Sequence, residues 1–314
     1  MKINATLFTL AISIGSFIYP QFTHAQSIST PNPISGLGRF HGVNTNGQAV
    51  GHTLGGDEPE GLFLDTGSKT ATKIKIQNGI SVKAFGIEDS GQAVGSYHEF
   101  DPVTHAATGK THGFLYVQGK TPTNVDYPGA NITVARGINN AKTIVGFYRD
   151  TSGTPHHHGF ILSNGKYTSV DVKGASDTYL TGISNQGVAV GYYTGSTPDS
   201  EGHYHQHGFT YDQNGTVTTF DASVFGVVAA DTFAYGINSF GFIVGSYIND
   251  SDGITHGYID IPFPLLPPPF NNFYLPLDLP GAPPGVGSFA QGINDNNLVT
   301  LFGALSFLTT VSSQ

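Results

Sequence analysis

The chain has 314 residues, with 13 Lys and Arg against 22 Asp and Glu, a formal net charge of −9, and neither cysteine nor tryptophan. Lacking cysteine, it has no disulfide, thiolate ligand or cysteine nucleophile, and cations this few, without a basic run, exclude the footprint of a nucleic-acid binder. Its 42 glycines, 22 phenylalanines and 15 tyrosines, with only 11% charged residues, predict many short strands and tight turns around a large core.

Residues 1–25 read as an export signal. Lys2 supplies a positive start, LFTLAISIGSFI (7 to 18) is an apolar run too short to span a bilayer comfortably, and THA (23 to 25) is a small-residue cleavage site. The alternative is an uncleaved membrane anchor, and the shortness of the apolar run argues against it. The mature chain is therefore expected to begin at Gln26, to form one domain over 26–314 without a transmembrane span, and to reside in the periplasm or outside the cell.

From residue 42 onward the chain repeats itself. GVNTNGQAVGH at 42 is followed by GIEDSGQAVGSY at 86, GINNAKTIVGFY at 137, GISNQGVAVGYY at 182, GINSFGFIVGSY at 236 and GINDNNLVTLFG at 292, the starting glycines lying 44 to 56 residues apart. A second element follows five of them: EGLFL at 60, HGFLY at 112, HGFIL at 158, HGFTY at 207 and HGYID at 256. A third recurs as VDYPGA at 125, VDVKGA at 170 and LDLPGA at 277, with FDAS at 220 as a looser relative.

Within one unit, ARGIN and TIVGFYRD flank a short polar turn, and HHHGFIL and YTSVDV flank SNGK. These are two hairpins, hence four strands. Six such units predict an all-β, six-bladed β-propeller, because no four-stranded blade buries its faces alone. An open β-solenoid is the rival architecture. The sixth unit is short by one strand, and ISTPNPISGLGRF (28 to 40) is expected to supply it by pairing the two ends of the chain. The Pro-rich PFPLLPPPFNNFYLPLDLPGAPPG (262 to 285) is expected to run as an extended apolar loop, either a contact surface or a plug over the last blade's edge.

The pattern G-I-N-x-x-G-x-x-V-G-x-Y followed by H-G-F resembles the bacterial extracellular repeats of the HAF type, over nearly the whole mature chain. The resemblance implies export and a propeller-like repeat, and no settled enzymatic activity. The chain departs from the pattern at Glu60, where the repeat histidine is missing, in the last unit, which lacks H-G-F, and in having no carboxy-terminal sorting helix.

Repetition separates blade parts from site residues. The glycines of GIN and VG, the alternating Ile and Val, and Tyr97, Tyr148, Tyr193 and Tyr247 recur, so they serve packing. His112, His158, His207 and His256 also recur and are expected to bond a neighbouring carbonyl or the recurring Asp126, Asp171, Asp221 and Asp278. His156, His157, His203 and His205 are extra. Alternation on a strand would set His203, His205 and His207 on one face, and His156 beside His158, so His156, His203, His205 and His207 are candidate ligands for Zn or Cu, the alternative being a solvated His-rich edge. Asp250, Asp252 and Gly253 only begin a calcium loop.

Hydrolase, P-loop, zincin and dinucleotide signatures are absent from the sequence. The residue before each G-I/V element is instead His41, Phe85, Arg136, Thr181, Tyr235 and Gln291, varied in a register whose neighbours are nearly constant. If the first strand of each unit is innermost, these line a central channel, and His41, Arg136, Thr181, Tyr235 and Gln291 become candidate ligand-binding residues, Arg136 suiting a carboxylate or other anion; the alternative is relaxed selection at an exposed position. The reading that follows is an exported binding module for an extracellular or cell-surface partner or a small ligand. The alternatives are a lactonase- or lyase-like channel enzyme and a His-based metal binder.

Overall fold

The computed structural model describes residues 26–28, 32–33, 38–54, 58–68, 70–104, 106–151, 156–224, 227–249, 252–262, 272–278, 287–303 and 306–313. The expected export signal, most of the Pro-rich segment and Asp250 lie outside these residues. The described residues are all-β, and none forms a helix long and apolar enough to cross a membrane.

The strands fall into successive antiparallel groups, one per sequence repeat. The first comprises Arg39–Val43, Gln48–His52, Gly61–Asp65 and Thr70–Ile74. Gly79–Ile87, Ala93–Asp101, Ala106–Tyr116 and Thr123–Asn124 make the second, joined by one parallel bridge to the third, Ile132–Ile138, Ile144–Arg149, His157–Ser163 and Lys166–Val170. The fourth is Ala175–Ile183, Ala189–Gly195, Gln206–Tyr211 and Val217–Phe220, and the fifth is Asp231–Ile237, Ile243–Ile248, Thr255–Pro262 and Asn272–Pro276.

The sixth group has three strands of its own, Phe289–Ile293, Leu298–Phe302 and Ser306–Ser313. Its outer pairing comes from the other end of the chain: Gln26–Ile28 pairs Ser313 to Val311, and Asn32–Pro33 pairs Leu308 and Phe307. The boundary differs from the sequence expectation, since the pairing segment is 26–33 and not 28–40. Arg39 and Phe40 belong to the first strand of the first group, because their backbone is paired with His52 and Gly51.

Close approach of backbones explains the recurring glycines. A Cβ on Gly137 would lie 3.0 Å from the Cα of Gly182 in the next group, and the same abutment links Gly42 to Gly86, Gly86 to Gly137, Gly182 to Gly236, Gly236 to Gly292 and Gly292 back to Gly42. The first strands therefore abut one another in series. The second glycine has a different role: a Cβ on Gly146 would meet the carbonyl oxygen of Val134 at 2.0 Å and the Phe160 ring at 2.9 Å. Phe160 and its counterparts Phe114, Phe209 and Tyr258 fill the space left there and are fully buried. Apolar layers lie between successive groups, as where Val145, Val170 and Leu180 pack with Ala189 and Phe209. One such layer sets Leu298 of the sixth group against Phe40, Val43 and Leu64 of the first.

The repeat histidines take the expected partner. His112, His158, His207 and His256 place Nδ1 at 2.8, 2.7, 2.7 and 2.9 Å from carboxylate oxygens of Asp126, Asp171, Asp221 and Asp278. Each ring lies 5.2 Å from that of Tyr97, Tyr148, Tyr193 or Tyr247. A Tyr–His–Asp cluster thus ties the second and third strands to the residues just after the fourth in four groups. In the first group Glu60, standing where the histidine would, pairs with Lys73 on the adjacent strand at 2.5 Å, an ion pair in place of the imidazole–carboxylate bond.

Candidate functional site

The six varied residues before the G-I/V elements share one structural cause. In every first strand the antiparallel register slips at that residue: Phe40 to Gly42, Ala84 to Gly86, Ala135 to Gly137, Leu180 to Gly182, Ala234 to Gly236 and Ala290 to Gly292. His41, Phe85, Arg136, Thr181, Tyr235 and Gln291 are the extra residues of six β-bulges. A bulge leaves one residue out of the ladder and re-aims its side chain; here all six line one central recess of about 570 Å3, part of it open to solvent.

The floor of this recess is a collar of Val43, Ile87, Ile138, Ile183, Ile237 and Ile293, which also bounds a second compartment of about 360 Å3 on the far side. The channel is thus divided by an aliphatic ring. The far compartment is polar and acidic, lined by Glu88, Asp89, Asn140, Asn185 and Asp295 among others, and its carboxylates are engaged. Thr45 and Asn140 bond Asp89, Ser239 and Asn185 bond Asp295, and Lys142 reaches the buried Glu88 at 2.6 Å.

The near compartment has the opposite electrostatics. Arg136 stacks on the Phe85 ring with its guanidinium carbon 4.2 Å from the centroid, and it makes no ion pair or side-chain hydrogen bond with any described residue. Burial lowers its pKa, which for arginine still leaves a cation. Among the described residues, no carboxylate lines the recess.

His41 bonds Gln291 Oε1 through Nδ1 at 3.3 Å and His52 Nδ1 through Nε2 at 3.1 Å, the two imidazoles stacking with centroids 5.0 Å apart. Burial, then His52 and Arg136, hold His41 well below the usual imidazole range. For His52, burial, then Lys83 and Arg39, lower the pKa to about 4. Both rings are therefore neutral at physiological pH, and the surrounding fixed charges are all cationic.

The sequence-predicted candidates differ in what they leave free. Thr181 is buried and donates its hydroxyl to the carbonyls of Ala234 (2.7 Å) and Val190 (3.1 Å), so it lines the recess while bracing the backbone. Tyr235 accepts from Ser246 Oγ at 3.2 Å, and burial pushes its pKa up to about 12, keeping it a phenol with a proton to donate.

Two further tiers of side chains adjoin the lining residues, with Tyr192 and Phe233 at 6.4 and 6.2 Å from Tyr235. Arg39, Lys83, Tyr179, Phe233 and Phe289 stand on the first strands just before the bulges, paired with His52, Ser96, Tyr192, Ser246 and Phe302 on the second strands. They form an aromatic wall. Tyr179 stacks on Tyr192 at 4.8 Å, Phe233 meets Tyr192 edge-on at 5.1 Å, Phe289 stacks on Phe302 at 4.8 Å, and Arg39 lies over Phe302 at 5.0 Å. The signal for these residues was present in the repeats, since the letter between VG and Tyr varies as Ser96, Phe147, Tyr192 and Ser246.

At the rim His157 is no solvated neighbour of His158. Its amide and Nδ1 lie 2.8 and 3.0 Å from Asp177 Oδ1, and its Nδ1 lies 3.0 Å from the Tyr179 hydroxyl. His156 is exposed and donates only its amide to Asp150 among the described contacts.

The candidate metal ligands are not gathered into one set. The strand begins at Gln206, so His203 and His205 precede it and the same-face geometry expected of them does not arise. His207 is held by Asp221 and Tyr193, and His205 contacts Asp199 at 3.1 Å. Among the described residues, Asp199, Glu201 and His203 are close enough together to hold an ion, all exposed on that loop. Asp252 bonds His256 and its own turn.

No protein-family model matches the chain, and no curated protein matches it in sequence. The HAF-type resemblance therefore rests on the repeat motifs alone. Solved structures similar to it are β-propeller proteins. They include TolB from Acinetobacter baumannii (TM-score 0.49, 13% identity, covering 80% of this chain and 54% of that one) and virginiamycin B lyase from Staphylococcus aureus (0.47, 8%, 91% and 99%). The β-propeller domain of the trilobed protease from Pyrococcus furiosus is a third (0.46, 14%, 86% and 78%). This chain spans about half the length of TolB.

The neutral imidazoles give the site a pH signature. A histidine whose folded pKa lies below its unfolded value contributes stability that is complete above the unfolded value, about 6.5, and is lost as pH falls through the folded one. His52→Gln is therefore expected to flatten the decline of the thermal midpoint between pH 6.5 and about 4. A variant whose midpoint falls as steeply as the wild type over that interval would remove His52 from the account.

Proposed function

We propose that the protein is an exported six-bladed β-propeller, its ring closed by pairing of the N- and C-terminal segments, that serves as a binding module and takes a small ligand in the near compartment of its channel. The terminal pairing and the contact of Gly292 with Gly42 support the closed ring. Export is supported by the composition of residues 1–25.

The observation that carries the binding reading is the near compartment itself. It is a recess with an aliphatic floor and aromatic walls, and it holds an arginine without a carboxylate partner. Polar groups converging above an aliphatic floor, in a recess enclosed by the chain, are what a small-ligand site requires. A lactonase- or lyase-like reaction would instead need a proton acceptor of suitable pKa facing the recess. Tyr235 is pushed the wrong way, and His41 already bonds Gln291 and His52.

A small-molecule screen by thermal shift on the full mature chain tests the reading. A true ligand is expected to raise the midpoint with concentration by about 2.7 kcal/mol of stabilisation at a hundredfold excess over Kd. Tyr192→Ala combined with Tyr235→Ala should abolish that shift while the variant still unfolds cooperatively. Ligands whose stabilisation survives this double change bind elsewhere, and the channel reading would then fail.

A further inference from the structure

Resting on the channel reading, we infer that the near compartment takes a carboxylate carried on a ring, with the carboxylate on Arg136 and the ring against the Tyr192–Phe233 wall. The guanidinium of Arg136 lies over the Phe85 ring at 4.2 Å and lines the recess, where its N–H edges are its hydrogen-bonding groups. No described residue accepts from those edges. A planar fork of donors matches a planar carboxylate through two parallel bonds, and shielding from water strengthens such a pair.

The charge count selects a monoanion. One guanidinium lines the recess, His41 and His52 beside it are neutral, and the next cations, Arg39 and Lys83, stand outside the lining on the first strands. A phosphate dianion would need several charged donors, whereas a carboxylate is neutralised by Arg136 alone. The Tyr235 hydroxyl, which accepts from Ser246, retains its own proton for a second bond.

The aromatic wall selects the rest of the ligand. Tyr192 stacks on Tyr179 and meets Phe233 edge-on at 5.1 Å, giving a broad π-surface next to Tyr235 at 6.4 Å. Such a surface takes the flat face of an aromatic ring or the C–H face of a sugar. A benzoate-like acid and a hexuronic acid share the chemistry required, and the test separates them.

The experiment is isothermal titration of the full mature chain with benzoate, D-glucuronate, benzyl alcohol, D-glucose, acetate and inorganic phosphate. At least one ring acid is expected to bind about tenfold or more tightly than its neutral counterpart and than acetate, the ratio expected for one charge-assisted bond. Arg136→Gln should remove that advantage, and Arg136→Lys, which keeps the charge and loses the fork, should remove part of it. Lys166→Gln on an outer strand should leave binding unchanged.

Equal affinity for acid and neutral ring, or full binding by Arg136→Gln, would overturn the carboxylate assignment and leave the channel reading standing. Phosphate binding tightest would do the same, and acetate binding as well as the ring acids would overturn the ring. Failure of every probe to bind the wild type would overturn both. A cooperative thermal transition in each variant shows that lost binding is not lost folding. Benzoate over glucuronate, or the reverse, identifies the kind of ring.

Discussion

Removing residues 26–33 is expected to lower the thermal midpoint by about 10 °C or more, or to leave the protein aggregated. The third strand of the sixth group, Ser306–Ser313, would lose the pairings of Gln26, Ser27 and Ile28 with Ser313, Ser312 and Val311, and those of Asn32 and Pro33 with Leu308 and Phe307. Backbone groups released along an edge strand template pairing with other chains, which is why aggregation accompanies the lost stability. Pairing over five residues, at about 1 kcal/mol net for each hydrogen bond and about 2 to 4 °C per kcal/mol in a domain of this size, sets the scale.

A chain beginning at residue 34 and a synthetic peptide of residues 26–33 make the check. Peptide added in excess should restore most of the midpoint by completing the pairing in trans, and a scrambled peptide should not. Should the shortened chain keep the wild-type midpoint, the terminal pairing contributes nothing and the closed ring loses its main support.

What the sequence revealed was what repeats. Register and alternation placed the four strands of each group, and comparing units against one another separated the recurring His158 from the varied Arg136. Bonding of the repeat histidines to the VD aspartates was legible because both partners lie in the same unit, as with His158 and Asp171. The unread features depend on register within a unit or on contacts between units. The bulges that turn His41 and Arg136 inward are mismatches of pairing, and no letter of the first strand announces them. His157 looked surplus because Asp177 and Tyr179, which hold it, lie in the following unit. The supposed strand of alternating histidines failed for a simpler reason: it starts at Gln206, three residues after His203.

The asparagine of GIN is the clearest case of a residue whose role lies between units, and Asn294→Ala is expected to cost about 2 to 4 kcal/mol. Asn44, Asn139, Asn238 and Asn294 are all buried. Each accepts one or two backbone N–H groups of its own turn on Oδ1, Asn139 that of Thr143 and Asn294 those of Asn296 and Leu298 at 2.9 Å each, and sends Nδ2 to a carbonyl of the next unit. Asn44 reaches Glu88 O at 3.0 Å, Asn139 reaches Ser184 O at 3.0 Å, Asn238 reaches Asn294 O at 3.3 Å, and Asn294 reaches Asn44 O at 2.8 Å. Where the letter changes, another bond takes over. Glu88 caps its own turn and is met by Lys142 from the following unit, and beside Ser184 the hydroxyl of Thr181 reaches Ala234 O at 2.7 Å.

Each junction between successive units therefore carries a polar cross-link among the described residues, and Asn294 bonds the first unit from the last. Alanine there removes one of the two donors to the Asn44 carbonyl, which keeps the Gly47 amide at 3.2 Å, and takes the side-chain acceptor from two turn N–H groups. The midpoint should fall by about 5 to 15 °C. Asn294→Asp separates the two functions of the amide: it keeps the acceptor for Asn296 and Leu298 but points a carboxylate oxygen at the Asn44 carbonyl, so most of the loss should remain. Calorimetry of the two variants beside the wild type decides the matter, and an alanine variant melting within about 1 °C of the wild type would show that the seam is held by packing alone.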